Sequence, residues 1–79
     1  MKRVSGRIVS DPGILCGKPV VKGTRMSVEF ILELLSSGLT VKDLVKEYPQ
    51  LKAEDVYAAI GYAARSLKHE DIIFPSSSS

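Results

Sequence analysis

A single cysteine, Cys16, leaves this 79-residue chain without any disulfide. The covalent staples of small secreted proteins are excluded, and a reducing compartment is expected. Apolar runs stop well short of the roughly 18 residues that a membrane span needs. The basic opening Met-Lys-Arg-Val-Ser-Gly-Arg leads into no apolar stretch of the signal-peptide kind, so the expected location is the cytoplasm. Histidine occurs once, at His69, and no His/Cys/Asp/Glu spacing suits a metal ion. Cys16 has no histidine near it in sequence to activate the thiol. Lys22-Gly23-Thr24 has the wrong order for a phosphate-binding loop, which needs Gly-Lys-Ser/Thr opening a helix. Neither an enzyme nor a cofactor is expected.

What is present is an ordinary globular composition, 44% apolar and 25% charged. It reads as one domain over 1–74 followed by a disordered serine tail, 75–79. So short a chain has a core worth only about 3–5 kcal/mol. A homodimer or a partner chain is the expected supplement. The net charge of +2 hides an asymmetry: residues 1–25 hold Lys2, Arg3, Arg7, Lys18, Lys22 and Arg25 against Asp11 alone, whereas eight acids and five bases follow. A basic first third suits an anionic partner, and chance clustering on a solvated surface gives the same count.

The pattern predicts mainly helix, opened by a short β-ribbon. Residues 7–9 and 19–22 read as two extended pieces separated by the turn signal Ser10-Asp11-Pro12-Gly13. Ser27 caps a first helix with an inner face of Val28, Ile31, Leu32 and Leu35, ended by Gly38 with Leu39 folding back. Phe30 and Leu34 widen that arc, so burial on two sides is expected, against the chain itself and against a partner. Thr40 caps a short second helix (Val41, Leu44, Val45, Tyr48), stopped by Pro49. The third helix, 53–67, is expected to bury Val56, Ile60, Ala63 and Leu67, and to turn Glu54, Asp55, Ala58 and Gly61 outward. Met26–Ile31, Leu39–Leu44 and Leu51–Val56 have the spacing of hydrophobic staples. Lys52 is a poor residue to precede a helix.

Ribbon, helix, short helix, tight turn and longer helix make the trihelical helix-turn-helix plan, in which the third helix reads the major groove. The residues also resemble a known family. Asp11-Pro12-Gly13-Ile14, then Gly17-Lys18-Pro19-Val20-Val21-Lys22-Gly23-Thr24-Arg25, is similar to the opening of the VapB-type antitoxin family, long catalogued as a small domain of unknown function. Val28, Ile31, Leu32, Leu35, Gly38, Tyr48-Pro49 and Glu54-Asp55-Val56 extend the similarity across about 7–67. The resemblance implies a homeodomain-like helix-turn-helix fold and a gene paired with a PIN-like ribonuclease toxin. It further implies neutralisation of that toxin and binding to the shared promoter. Lys52 departs from the Ser or Thr usual before the third helix.

The expected DNA-binding residues are Lys2, Arg3, Arg7, Arg25, Tyr57 and Arg65. Acids at the start of the third helix repel phosphates, so the basic N-terminal segment would carry much of the affinity. Arg25 precedes a helix N-terminus, where the dipole disfavours a cation. It therefore wants an anion, either Glu29 or a DNA phosphate. Ile72, Ile73 and Phe74 form an apolar patch outside any helix. They are assigned to partner binding, with folding back over the chain's own helices as the other reading. The competing function is a dimeric protein-interaction module of the same fold that never binds DNA.

Overall fold

The computed structural model describes residues 2–68. Three short strands, β1 (Lys2–Ser5), β2 (Ile8–Ser10) and β3 (Val20–Val21), form an antiparallel sheet in the order β1-β2-β3. Three helices follow: α1 (Val28–Ser36), α2 (Val41–Glu47) and α3 (Ala53–Lys68). The ribbon expected from two segments is thus three-stranded. Lys-Arg-Val-Ser shows little hydrophobic alternation, so β1 carries no legible period; a register irregularity between Arg3 and Ser5 disrupts it further.

The sheet alternates as a two-faced strand pair should. Ile8 pairs with Val21 and both join the helical core; Val9 pairs with Val20, and both are buried on the opposite side, beside Asp11 and Ile14 of the β2–β3 connection. The sheet is therefore covered twice, by the helices and by its own long loop. That loop contains a tight turn in which Leu15 and Cys16 both take positive φ, 50° and 58°. Two consecutive non-glycine residues in the left-handed region cost about 1–2 kcal/mol each.

Each helix boundary is set by local chemistry. Ser27 Oγ accepts from the Phe30 amide at 3.0 Å. At the other end of α1, Gly38 sits at φ +109°, its amide donates to Leu35 O, and the Leu39 amide donates to Leu34 O, completing a Schellman ending. Thr40 and Asp43 form a reciprocal capping box on α2. The core is Ile8, Val21, Met26, Val28, Ile31, Leu44, Leu51, Val56 and Ala59, which includes both members of two of the three staples.

The buried face of α3 differs from the expected one. Asp55, Val56 and Ala59 are buried, Tyr62 and Ala63 pack against the core, and Ile60 and Leu67 stand 39% and 50% exposed. The helix is rolled so that its N-terminal turn meets the sheet through Asp55. Ile60 and Leu67 are carried away from the core as a result.

Candidate nucleic-acid and partner-binding surfaces

Asp55 is where sequence reasoning and structure part most sharply. Placed outward by periodicity, it is buried, with a side chain only 8% exposed. Its Oδ1 accepts from the Arg7 guanidinium at 2.8 Å, and its Oδ2 accepts from the Lys52 amide at 2.9 Å. The second bond is the carboxylate half of a capping box, which compensates for a lysine that has no hydroxyl to offer. Arg7, expected to contact DNA, ties the β1–β2 turn to the start of α3, while its side chain stays 48% exposed. The Lys-x-x-Asp spacing is the signal that could have revealed this role.

Of the other expected DNA contacts, Lys2 and Arg3 lie on β1, at the edge of the sheet. Arg25 is exposed beside the N-terminus of α1, but Glu29 is not its partner: the Glu29 carboxylate accepts from Lys18 Nζ at 3.0 Å. Arg25 makes no ion pair among the described residues. Tyr57 is 61% exposed on the outer face of α3. Arg65, on the same helix, folds back so that a guanidinium nitrogen lies 3.4 Å from where a Cβ on Gly61 would stand. The six residues are thus spread over β1, the β1–β2 turn, the start of α1 and α3. Ile72, Ile73 and Phe74 lie outside the described residues.

Two surfaces escaped the sequence reading. In the crease between α2 and α3, Tyr57 stands beside Thr40, Val41, Lys42, Val45, Lys46 and Ala53. Lys42 and Lys46 are exposed, one helical turn apart, and form no ion pair among the described residues. Their i, i+4 spacing was the available signal. The only acid exposed in the first turn of α3 is Glu54, because Asp55 is turned inward.

The second is a groove of about 600 Å³ between the Leu15–Cys16 turn, the start of α1 and the end of α2. Leu15 and Phe30 expose large apolar side chains there, and Phe30 meets Tyr48 edge-on with ring centroids 6.1 Å apart. Lys18, Arg25 and Gln50 supply its polar margin. Cys16, in the tight turn before β3, is exposed. Among the described residues there is no cluster of three metal-ligating side chains, and no helix is long and apolar enough to cross a membrane.

The chain is 38% identical over 56 residues to the uncharacterized protein y4eO of Sinorhizobium fredii. The match covers 71% of this chain and 25% of that protein, so the chain spans about a quarter of its curated relative. A crystal structure of a DUF433 member protein from Anabaena variabilis superposes with a TM-score of 0.73 at 31% identity. That superposition covers 82% of this chain and 64% of the other. The family model for DUF433, described as a protein of unknown function, matches residues 8–63, and the chain belongs to that family.

Proposed function

We propose that α1–α3 form a homeodomain-like helix-turn-helix, and that the protein is the antitoxin of a toxin–antitoxin pair, neutralising a PIN-like ribonuclease and binding its own promoter. The observation that carries the nucleic-acid part is the α2–α3 crease. In a helix-turn-helix the first helix of the pair crosses the phosphate backbone while the second enters the major groove. Lys42 and Lys46 on α2 suit the first task. Tyr57 on α3 suits the second, and inward-turned Asp55 removes one of two acids that would oppose it. The antitoxin part rests on the resemblance of the Gly-Lys-Pro and Gly-Thr-Arg segment alone. Catalysis is not part of this reading.

The test is titration of the chain with its upstream promoter at several salt concentrations. Changing Lys42 and Lys46 together to Ala should weaken binding and lower the log–log salt slope by about 2, one for each phosphate that a lysine neutralises. An unchanged slope would remove the crease from the interface. For the antitoxin, the adjacent reading frame should encode a PIN-like nuclease whose RNA cleavage stops on adding this chain. The second reading, an interaction module that binds no DNA, is favoured by the exposed Leu15 and Phe30 in their groove. It predicts no promoter binding even at low salt.

A further inference from the structure

The groove between the Leu15–Cys16 turn, the start of α1 and the end of α2 has a lining of one kind and a margin of another. Leu15 and Phe30 stand 42% and 40% exposed, and Met26 and Tyr48 complete the apolar lining. Leu15 is held there by left-handed backbone at φ 50°, strain of the kind kept at ligand clamps. The charged residues of the margin are Lys18 and Arg25, and among the described residues no carboxylate lines the groove. Lys18 is engaged by Glu29, but Arg25 is exposed and forms no ion pair among the described residues. The positive end of α1 beside it adds to the field. Gln50 Nε2 donates to the Met26 thioether at 3.5 Å, a weak acceptor, so most of the hydrogen-bonding capacity of that exposed amide stays open.

We infer that this groove docks an acidic-apolar segment of a partner protein. A Leu, Phe or Trp side chain of the segment packs against Leu15 and Phe30, an adjacent Asp or Glu pairs with Arg25, and the segment's backbone meets the Gln50 amide. The inference deepens the interaction reading of this groove and rests on it; it does not depend on promoter binding. Charge selects the occupant. A basic segment would meet Lys18 and Arg25 with no acid to receive it. A nucleic-acid backbone would satisfy Arg25 but leave Leu15, Met26 and Phe30 without an apolar partner. A second copy related by a two-fold axis would set Lys18 and Arg25 of one chain against the same residues of the other, so an acidic segment displaces any such pairing. Only a chain carrying apolar and anionic groups side by side matches lining and margin together. At about 600 Å³ the groove is large enough for a piece of about two or three residues.

The test pans a phage-displayed library of random peptides on the full 79-residue chain and titrates the most frequent sequence as a synthetic peptide by fluorescence anisotropy. Selected sequences should place Asp or Glu beside Leu, Phe or Trp. Phe30→Ala should weaken the peptide by about tenfold or more. Arg25→Glu should weaken it about tenfold, and panning repeated on that variant should return Lys and Arg in place of the acids. Arg25 is solvent-exposed with no ion pair to lose, so its reversal reads the groove and not the fold. Where the free chain sediments as two copies, the peptide should convert it to one. Sequences that need Phe30 but carry no acids, or that bind the Arg25→Glu variant equally well, would overturn the inference and leave the interaction module standing. Peptides indifferent to Phe30, or no selected peptide at all, would remove both. Promoter DNA that competes with the peptide would assign the groove to nucleic acid. A two-chain species that Phe30→Ala dissociates and the peptide does not would assign it to a second copy. Either result would overturn the inference.

Discussion

Asp55 does two things with two oxygens, and the residue-scale consequences separate cleanly. Arg7→Ala removes the long-range partner but leaves the Lys52 amide satisfied. Because the buried carboxylate keeps only one hydrogen bond, the expected loss is about 1–3 kcal/mol. Asp55→Ala loses the same ion pair and also strips the cap, so it should cost roughly 1 kcal/mol more. Asp55→Asn keeps an acceptor for Lys52 and should fall on the Arg7→Ala side. Urea titration of the three variants checks the order. An Asp55→Ala variant no less stable than Arg7→Ala would mean the cap contributes nothing. The same geometry excludes Arg7 from any alanine scan aimed at DNA, since its loss disturbs the fold; Lys2 and Arg3 are the substitutions that test the N-terminal segment.

At the scale of elements, the helices were legible because their boundaries are local. Ser27, Thr40 and Gly38 act within four residues of themselves, and each stands where its chemistry predicts. The roll of α3 was not legible, because a partner 48 positions away decides it. Periodicity favours the bulky Ile60 and Leu67 for the inner face, whereas the sheet needs Asp55 and the small Ala59 there. The Thr40–Asp43 box makes a prediction of its own. The hydrogen bond from the Thr40 amide to Asp43 lowers that carboxyl below its ordinary 3.8. A group whose pKa is depressed by folding stabilises above the unfolded value and ceases to do so as pH falls through the folded one. The capping contribution to α2 should therefore be complete above about pH 4 and disappear in more acidic solution. An NMR titration of the Asp43 side chain should give a midpoint below 3.8, and Asp43→Asn should abolish this acid-linked change in α2. A midpoint at or above 3.8 would show that the box does not hold in solution.

For the whole molecule, composition and element order were enough to foresee a small, mainly helical domain with an N-terminal ribbon. They were not enough to foresee how the ribbon is covered. Val9 and Val20 are buried beside the same loop that holds Leu15 and Cys16 in left-handed backbone, and such tertiary cover leaves no period in the sequence. The candidate sites were less legible still. Charge counting found the basic N-terminal third but could not see that Arg7 and Lys18 are engaged by Asp55 and Glu29. It also passed over Lys42 and Lys46, which lie in the more acidic remainder of the chain. Dimerisation, expected from the small core and the wide apolar arc of the first helix, and matched by exposed Leu15 and Phe30, predicts a two-chain species in sedimentation at micromolar concentration. A single-chain species, fully folded, would turn those apolar surfaces over to a different partner.

The Arg7–Asp55 bridge and the Lys52–Asp55 cap also differ in the length of chain that each must close. The bond from Lys52 to Asp55 spans three residues and can form as soon as α3 nucleates, whereas the bond to Arg7 must wait for closure of a 48-residue separation. Until the ribbon docks, the carboxylate that starts α3 is left in water with half its partners. The first turn of the third helix is thus held both by a bond within itself and by one from near the other end of the chain, so the start of α3 and the ribbon share a single carboxylate.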